Sequence, residues 1–204
     1  MNKNTIVIKH KLTNAVIFKH TQNNNSIRAT VLRAHKLSIS LCGANLVGIN
    51  LDNENLAKIN LSDADLTNAS ILNTNLSGAN LTNINLSNAD INGADLSNVS
   101  LVNANLRCAR LYNVILHNAD LRMSLLNATE LINAYIVNAN LNDVDLSYSS
   151  LVNANLSNTS MLNTDLRNTD LRNTDLSNIS LNKNTNLRHA IITNANLTSI
   201  NYHG

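Results

Sequence analysis

From Leu41 to Leu181 the chain places a large apolar residue at every fifth position. Of these 29 positions 25 are Leu, and Ile71, Ile91, Ile136 and Met161 fill the rest. Two residues before each stands a smaller inward-type residue, Ala twelve times and otherwise Thr, Ile, Val or Ser, with Glu54 as the charged exception. Two residues after each stands Asn or Gly in 21 of the 29 units.

A period of five fits neither regular element. On an α-helix successive leucines would sit about 140° apart and reach every face. On one continuous strand an odd spacing would send alternate leucines to opposite faces. The spacing predicts a solenoid that turns a corner every five residues. Asn and Gly suit those corners because they tolerate the left-handed backbone that tight turns require. The absence of proline fits as well, since stacked coils use their backbone N–H groups laterally.

Segments such as Ala64-Asp65-Leu66-Thr67-Asn68 and Ala94-Asp95-Leu96-Ser97-Asn98 resemble the A(D/N)LXX consensus of the pentapeptide repeat family. The resemblance runs unbroken over about 41–181. It implies an all-β fold, a right-handed quadrilateral parallel β-helix with four pentapeptides per coil. With coils about 4.8 Å apart, as paired strands are, the inward residues form ladders such as Leu41, Leu61, Leu81 and Leu101. A core filled by leucines leaves no room for a substrate.

The frame shifts at both ends. After Leu181 the next large residue, Leu187, comes one residue late, and Ile192, Leu197 and Tyr202 continue the new frame. Residues 182–204 therefore read as a bulge, a final coil and a tail. Upstream, Val7, Leu12, Ile17, Ile27, Leu32 and Leu37 share a five-residue frame that meets Leu41 one residue early. Residues 1–36 read as a basic terminal cap or degenerate first coils, with 22–26 as a polar loop and a helix over 27–37 as an alternative. The regular β-helix then spans 37–181.

Composition narrows the function classes. The 204 residues include one Phe, four Tyr and no Trp, too few rings to wall an aromatic ligand pocket. The formal charge of +2 divides into +7 over residues 1–36 and −5 over the remainder. The N-terminal apolar stretch is too short for a secretory signal, and no run is long enough to cross a membrane. Cys42 and Cys108 fall on coils about three apart, too far for a disulfide, and free thiols suit a cytoplasmic protein.

Candidate chemistry is sparse. Carboxylates such as Asp65, Asp145 and Asp165 share an outward column, but a convex face offers no cleft to tune acid–base pairs. The column of Asp90, Arg110 and Glu130 alternates in sign and reads as surface pairing. His10, His20 and His35 lack metal-ligand spacing, so no metal or cofactor is expected. Glu54 is expected to swing outward or to be met by Lys58. No nucleotide or nucleic-acid motif is present, and no nucleic-acid partner is expected.

The resemblance implies a non-catalytic protein-interaction scaffold of unknown partner. Its Qnr and MfpA branch implies an alternative, a DNA-mimicking protein that binds DNA gyrase. That role requires a strongly acidic exterior, which a repeat body of −5 lacks. Outward apolar residues point instead to a docking patch. Tyr112, Ile132 and Val152 form one expected ladder, Ile115 and Tyr135 a second beside the same corner. Homodimerisation through the C-terminal coil is a further expectation, because its backbone edge is left unpaired.

Overall fold

The computed structural model describes residues 3–204. From residue 41 to residue 160 the large residue and the corner residue of every unit each donate a lateral backbone hydrogen bond to the next coil. The Leu46 N–H donates to the Asp65 carbonyl (2.8 Å), and the corner N–H of Gly48 donates to the Thr67 carbonyl (2.9 Å). The Asp65 N–H donates back to the Ala44 carbonyl (2.8 Å), and the Ile49 N–H closes the corner on the Leu46 carbonyl (3.1 Å). Parallel bridges join residues 20 apart, from Asn45–Asp65 to Ser160–Ser180. Four units therefore complete one coil.

Pairing takes the form of single bridges rather than extended strands. A corner in every unit leaves one residue free to pair on each side, so the described residues contain only four named strands. The corner residue is left-handed throughout: Gly43, Asn68, Asn88 and Asn113 have φ of 69°, 58°, 59° and 55°.

Inside, the large residues and the small residues before them form one continuous core, from Leu41 to Ile179. A void among Leu61, Leu66, Ile71 and Leu81 measures about 10 Å³, scarcely enough for one water. Thr and Ser can replace Ala at the small position because their hydroxyls find backbone acceptors. Thr74 donates to the Leu51 carbonyl at 2.8 Å, Thr129 to the Leu126 carbonyl at 2.7 Å and Thr164 to the Leu141 carbonyl at 2.7 Å.

The N-terminal segment is not coiled. β1 (Lys3–Lys9) and β2 (Val16–Asn23) form an antiparallel hairpin, followed by α1 (Ile27–Lys36). Ser26 caps α1 by accepting the Ala29 N–H, which sets the helix start. The upstream five-residue frame is thus a coincidence of a strand period and a helix period. Ile8 is buried where Val7 was expected to be, and Leu12 lies at the hairpin turn, 82% exposed.

At the other end the frame shift is a one-residue insertion. Beyond it the bridges join residues 21 apart, as in Asp165–Asn186 and Asp170–Ile191. β3 (Ser180–Asn182) pairs in parallel with β4 (Asn201–His203), which closes the last coil.

Candidate interaction surfaces

The two ends of the stack differ. At the N-terminal end the Lys11 N–H donates to the Gly43 carbonyl (2.8 Å) and the Asn45 N–H to the Lys9 carbonyl (2.9 Å), so the hairpin covers part of the first coil's edge. Ile8, Val31 and Ala34 are fully buried against the core. Arg28 of α1 holds the helix down: it donates to the Asp52 carbonyl (2.8 Å) and pairs with Glu54. The partner of Glu54 is therefore Arg28 and not Lys58, because α1 lies over that unit. A groove of about 380 Å³ remains where 38–40 and the unit 57–60 diverge, lined in part by His35, Lys58 and Ile59.

At the C-terminal end none of the described residues covers the last coil. Leu187, Ile192, Leu197 and Ile200 are 41%, 45%, 43% and 37% exposed around a hollow of about 130 Å³. The N–H groups of Leu187, His189, Ile192, Asn194, Leu197 and Ser199 have no lateral carbonyl among the described residues, whereas their equivalents in every earlier coil from 41 to 160 have one.

On the sides, the predicted ladders are in place. The Asn113 N–H donates to the Ile132 carbonyl and the Asn133 N–H to the Val152 carbonyl (3.0 Å each), while Ile115 bridges Tyr135. The two ladders do not merge into one apolar surface. Between them runs a ladder of side-chain amides, Asn113–Asn133–Asn153–Asn173, each linked by an Nδ2–H to Oδ1 bond of 3.2–3.3 Å. Tyr112, Ile115, Ile132 and Val152 are half-buried, and Tyr135 is 51% exposed with its ring 6.2 Å from that of His117. The hydrogen bond from the Tyr112 hydroxyl to Glu130, more than the charge of that carboxylate, holds the phenol above its ordinary range.

Five arginines are neutralised in place by ion pairs among the described residues. Arg110 pairs with Asp90 across one coil, as the alternating column predicts. Arg122, Arg167 and Arg172 each fold back on the aspartate two residues earlier, at 2.7, 2.5 and 2.6 Å. These side-chain hydrogen bonds hold Asp120, Asp165 and Asp170 below the usual carboxylate range. Both cysteines are free and exposed. Among the described residues no three His, Cys, Asp or Glu side chains cluster as metal ligands, and no helix is long and apolar enough to cross a membrane.

Sequence reasoning passed over a second group of outward apolar residues. Met123 and Tyr148 occupy corners normally given to Asn or Gly and are 58% and 68% exposed, with Leu125 half-buried between the neighbouring corners of one coil. Their departure from the repeat pattern was the available signal.

A stack of four-unit coils with a left-handed residue at each corner defines a pentapeptide solenoid. The family model described as "Pentapeptide repeats" matches residues 44–83, 84–122, 139–178 and 163–201, well over half of the chain, and the protein belongs to the pentapeptide repeat family. The chain is similar to the crystal structure of HetL, a pentapeptide repeat protein involved in heterocyst differentiation regulation from the cyanobacterium Nostoc sp. strain PCC 7120. The identity is 24% over 84% of this chain and 93% of that one, with a TM-score of 0.50, a likeness of fold alone. A trypsin-treated form of QnrB1, a plasmid-mediated fluoroquinolone resistance protein, aligns at 15% identity over 78% of this chain and 92% of that one. Its TM-score of 0.35 carries no functional argument. No curated protein matches the chain in sequence.

Proposed function

We propose that the protein is a non-catalytic scaffold of the cytoplasm that binds a protein partner along its side, its repeats wound as the right-handed quadrilateral parallel β-helix of its family. The observation that carries this reading is the contrast between a leucine core closed along the sides of the stack and bridge columns that turn apolar in the middle coils alone. Bridge positions are polar or charged throughout 41–181 except at Ile115, Leu125 and Tyr135. Exposed aromatic and apolar side chains grouped in this way are characteristic of docking surfaces.

The partner contact is assigned to the corner flanked by Tyr112, Ile132 and Val152 on one side and Ile115 and Tyr135 on the other. The amide ladder between them supplies oriented donors and acceptors, so the surface suits a protein segment that offers both backbone polar groups and apolar side chains. Replacing Tyr112 and Tyr135 with Ser should leave the circular dichroism spectrum unchanged and weaken partner capture in pull-downs. Unchanged capture profiles would remove this corner from the account.

The open C-terminal end is proposed as a second contact, for tail-to-tail pairing with another copy, since it presents both apolar side chains and unpaired backbone N–H groups. The gyrase-mimic reading gains no support from the charge pattern: Asp90, Asp120, Asp165 and Asp170 are each neutralised by arginine and form no continuous acidic stripe. The purified protein is expected neither to inhibit gyrase supercoiling nor to relieve quinolone inhibition. Clear protection in a supercoiling assay would overturn that expectation.

A further inference from the structure

The unit built on Leu106, Leu126 and Leu146 presents one side of the rod, and its middle coils break the pattern kept elsewhere. Its bridge column reads Asn45, Asp65, Asn85, Asn105, Leu125, Asp145, Asp165, so Leu125 is its one apolar member. On the flanking corners Cys108, Met123, Ala128 and Tyr148 hold φ of 56°, 61°, 58° and 62°. A side chain with a Cβ is disfavoured there by about 1–2 kcal/mol per residue relative to the right-handed region. Asn and Gly relieve that strain at most other corners. Met123 and Tyr148 project into solvent, so packing within the chain does not offset it. Strain retained without local gain is a mark of functional sites.

The charges on this side are arranged about the same coil. One coil before Leu125, Arg107 donates to the Asn127 amide oxygen (2.9 Å) and has no ion-pair partner among the described residues. One coil after it, Asp145 accepts from the Ser147 N–H (3.0 Å) and hydroxyl (2.6 Å) and makes no ion pair among the described residues, although Arg167, itself paired with Asp165, lies within electrostatic range. The arrangement recurs three coils out. Asp65 on the N-terminal side accepts from Thr67 and Asn85, and Arg188 on the C-terminal side leans on the His189 ring at 3.1 Å. Neither is in an ion pair among the described residues.

We propose that this side binds a second copy of the chain, antiparallel, about a two-fold axis that lies across the coil 121–140. The two-fold lays the coil of Arg107 over the coil of Asp145, and the coil of Asp65 over that of Arg188. Each unpaired arginine then comes within side-chain reach of an unpaired carboxylate on the other copy. Leu125 and Met123 meet their own counterparts near the axis, and Tyr148 covers the corner of Cys108. An unrelated partner has no reason to match this symmetry, whereas an isologous pair uses every contact twice and closes. The corner assigned above to a protein partner begins on the next unit and ends one further round the coil. The proposal does not depend on that assignment.

The test is the association state of the full-length chain by sedimentation equilibrium at micromolar concentration, with circular dichroism as the check on folding. The wild type is expected to self-associate, and to form the side-by-side dimer alone once the open end is blocked. Arg107→Asp and Asp145→Arg should each weaken dimerisation by about tenfold or more, since each sets like charges face to face. The double variant Arg107→Asp/Asp145→Arg should restore it, because the pairing is only reversed. Leu197→Asp at the open end should leave this dimer intact. A wild type that stays monomeric at high micromolar concentration overturns the proposal. So does a dimer indifferent to both single variants, a double variant no better than the singles, or a dimer abolished by Leu197→Asp alone.

Discussion

The N-terminal and C-terminal ends of this rod face the same physical problem and meet it differently. A stack of coils leaves at each end a disc of apolar side chains and a ring of unpaired backbone groups. At the N-terminal end Ile8, Val31 and Ala34 cover the disc, while Lys9 and Lys11 pair with the ring. At the C-terminal end Leu187, Ile192 and Leu197 stay exposed, and six N–H groups lack lateral acceptors among the described residues. Repeat arrays are stabilised mainly by neighbour contacts, so a cap sets the stability of its end. The difference is why tail-to-tail pairing is proposed for the last coil and not for the first.

The same change made at the two ends should give the largest contrast. Val31→Asp places an unpaired charge at a fully buried site and should destabilise by about 4 kcal/mol or more. Leu197→Asp stays in water and should shift stability by less than about 1 kcal/mol. Thermal denaturation of both variants measures the gap, and equal effects would erase the distinction.

A finer contrast lies within the cap. A Cβ at Gly43 would sit 2.3 Å from the His10 Nε2, whereas one at Gly48 meets nothing within 4 Å. Both residues are left-handed, with φ of 69° and 67°. Gly48→Ala should therefore lose only the conformational term of about 1–2 kcal/mol. Gly43→Ala should lose more, because the His10 ring must leave the first coil and take the hairpin turn with it. Chemical denaturation is the measurement, and Gly48→Ala as the more harmful variant would refute the docking of His10.

Arg28→Ala should have a smaller effect, about 1 kcal/mol, since the guanidinium is 41% exposed and water screens its pairing with Glu54. Glu54→Ala, which returns that position to the usual small residue, should make the loss of Arg28 less harmful. A double-mutant cycle reads this coupling directly.

Acid should produce the mildest effect and act unevenly. Asp52 loses some solvation, which raises its pKa, but the hydrogen bonds from Ser70, the Leu72 N–H and Asn50 outweigh this and lower it. Like Asp120, Asp165 and Asp170, it is depressed when folded, so its contribution is present above the unfolded carboxylate value of about 3.9 and is lost as pH falls through the folded value. No Asp or Glu follows Asp175, so the last coil adds no carboxylate of its own to this loss. Stability measured from pH 7 downward should hold until about pH 4 and then decline.

The body of the rod was legible because one rule repeats in every unit. An inward leucine every five residues and a left-handed Asn or Gly two residues later leave little freedom in register, and even the late Leu187 could be read as an insertion. The N-terminal cap was less legible. Leu12 and Ile17 fall on the frame by chance, and strand, turn and helix each set their own period there. Arg28 could not be assigned to Glu54 without knowing where α1 lies. The five residues of the proposed contact could be aligned by counting in twenties. The amide ladder that divides them depends on how Asn113, Asn133 and Asn153 turn toward one another, which spacing alone does not show.

Amide hydrogen exchange at submicromolar concentration, where copies stay apart, tests the central contrast most directly. The account requires slow exchange at Lys11 and Asn45 and through the coils 61–160, with fast exchange at Leu187, His189, Ile192, Asn194, Leu197 and Ser199. Protection of those six amides equal to that of Lys11 and Asn45 would contradict it, because the C-terminal end would then be sealed as well.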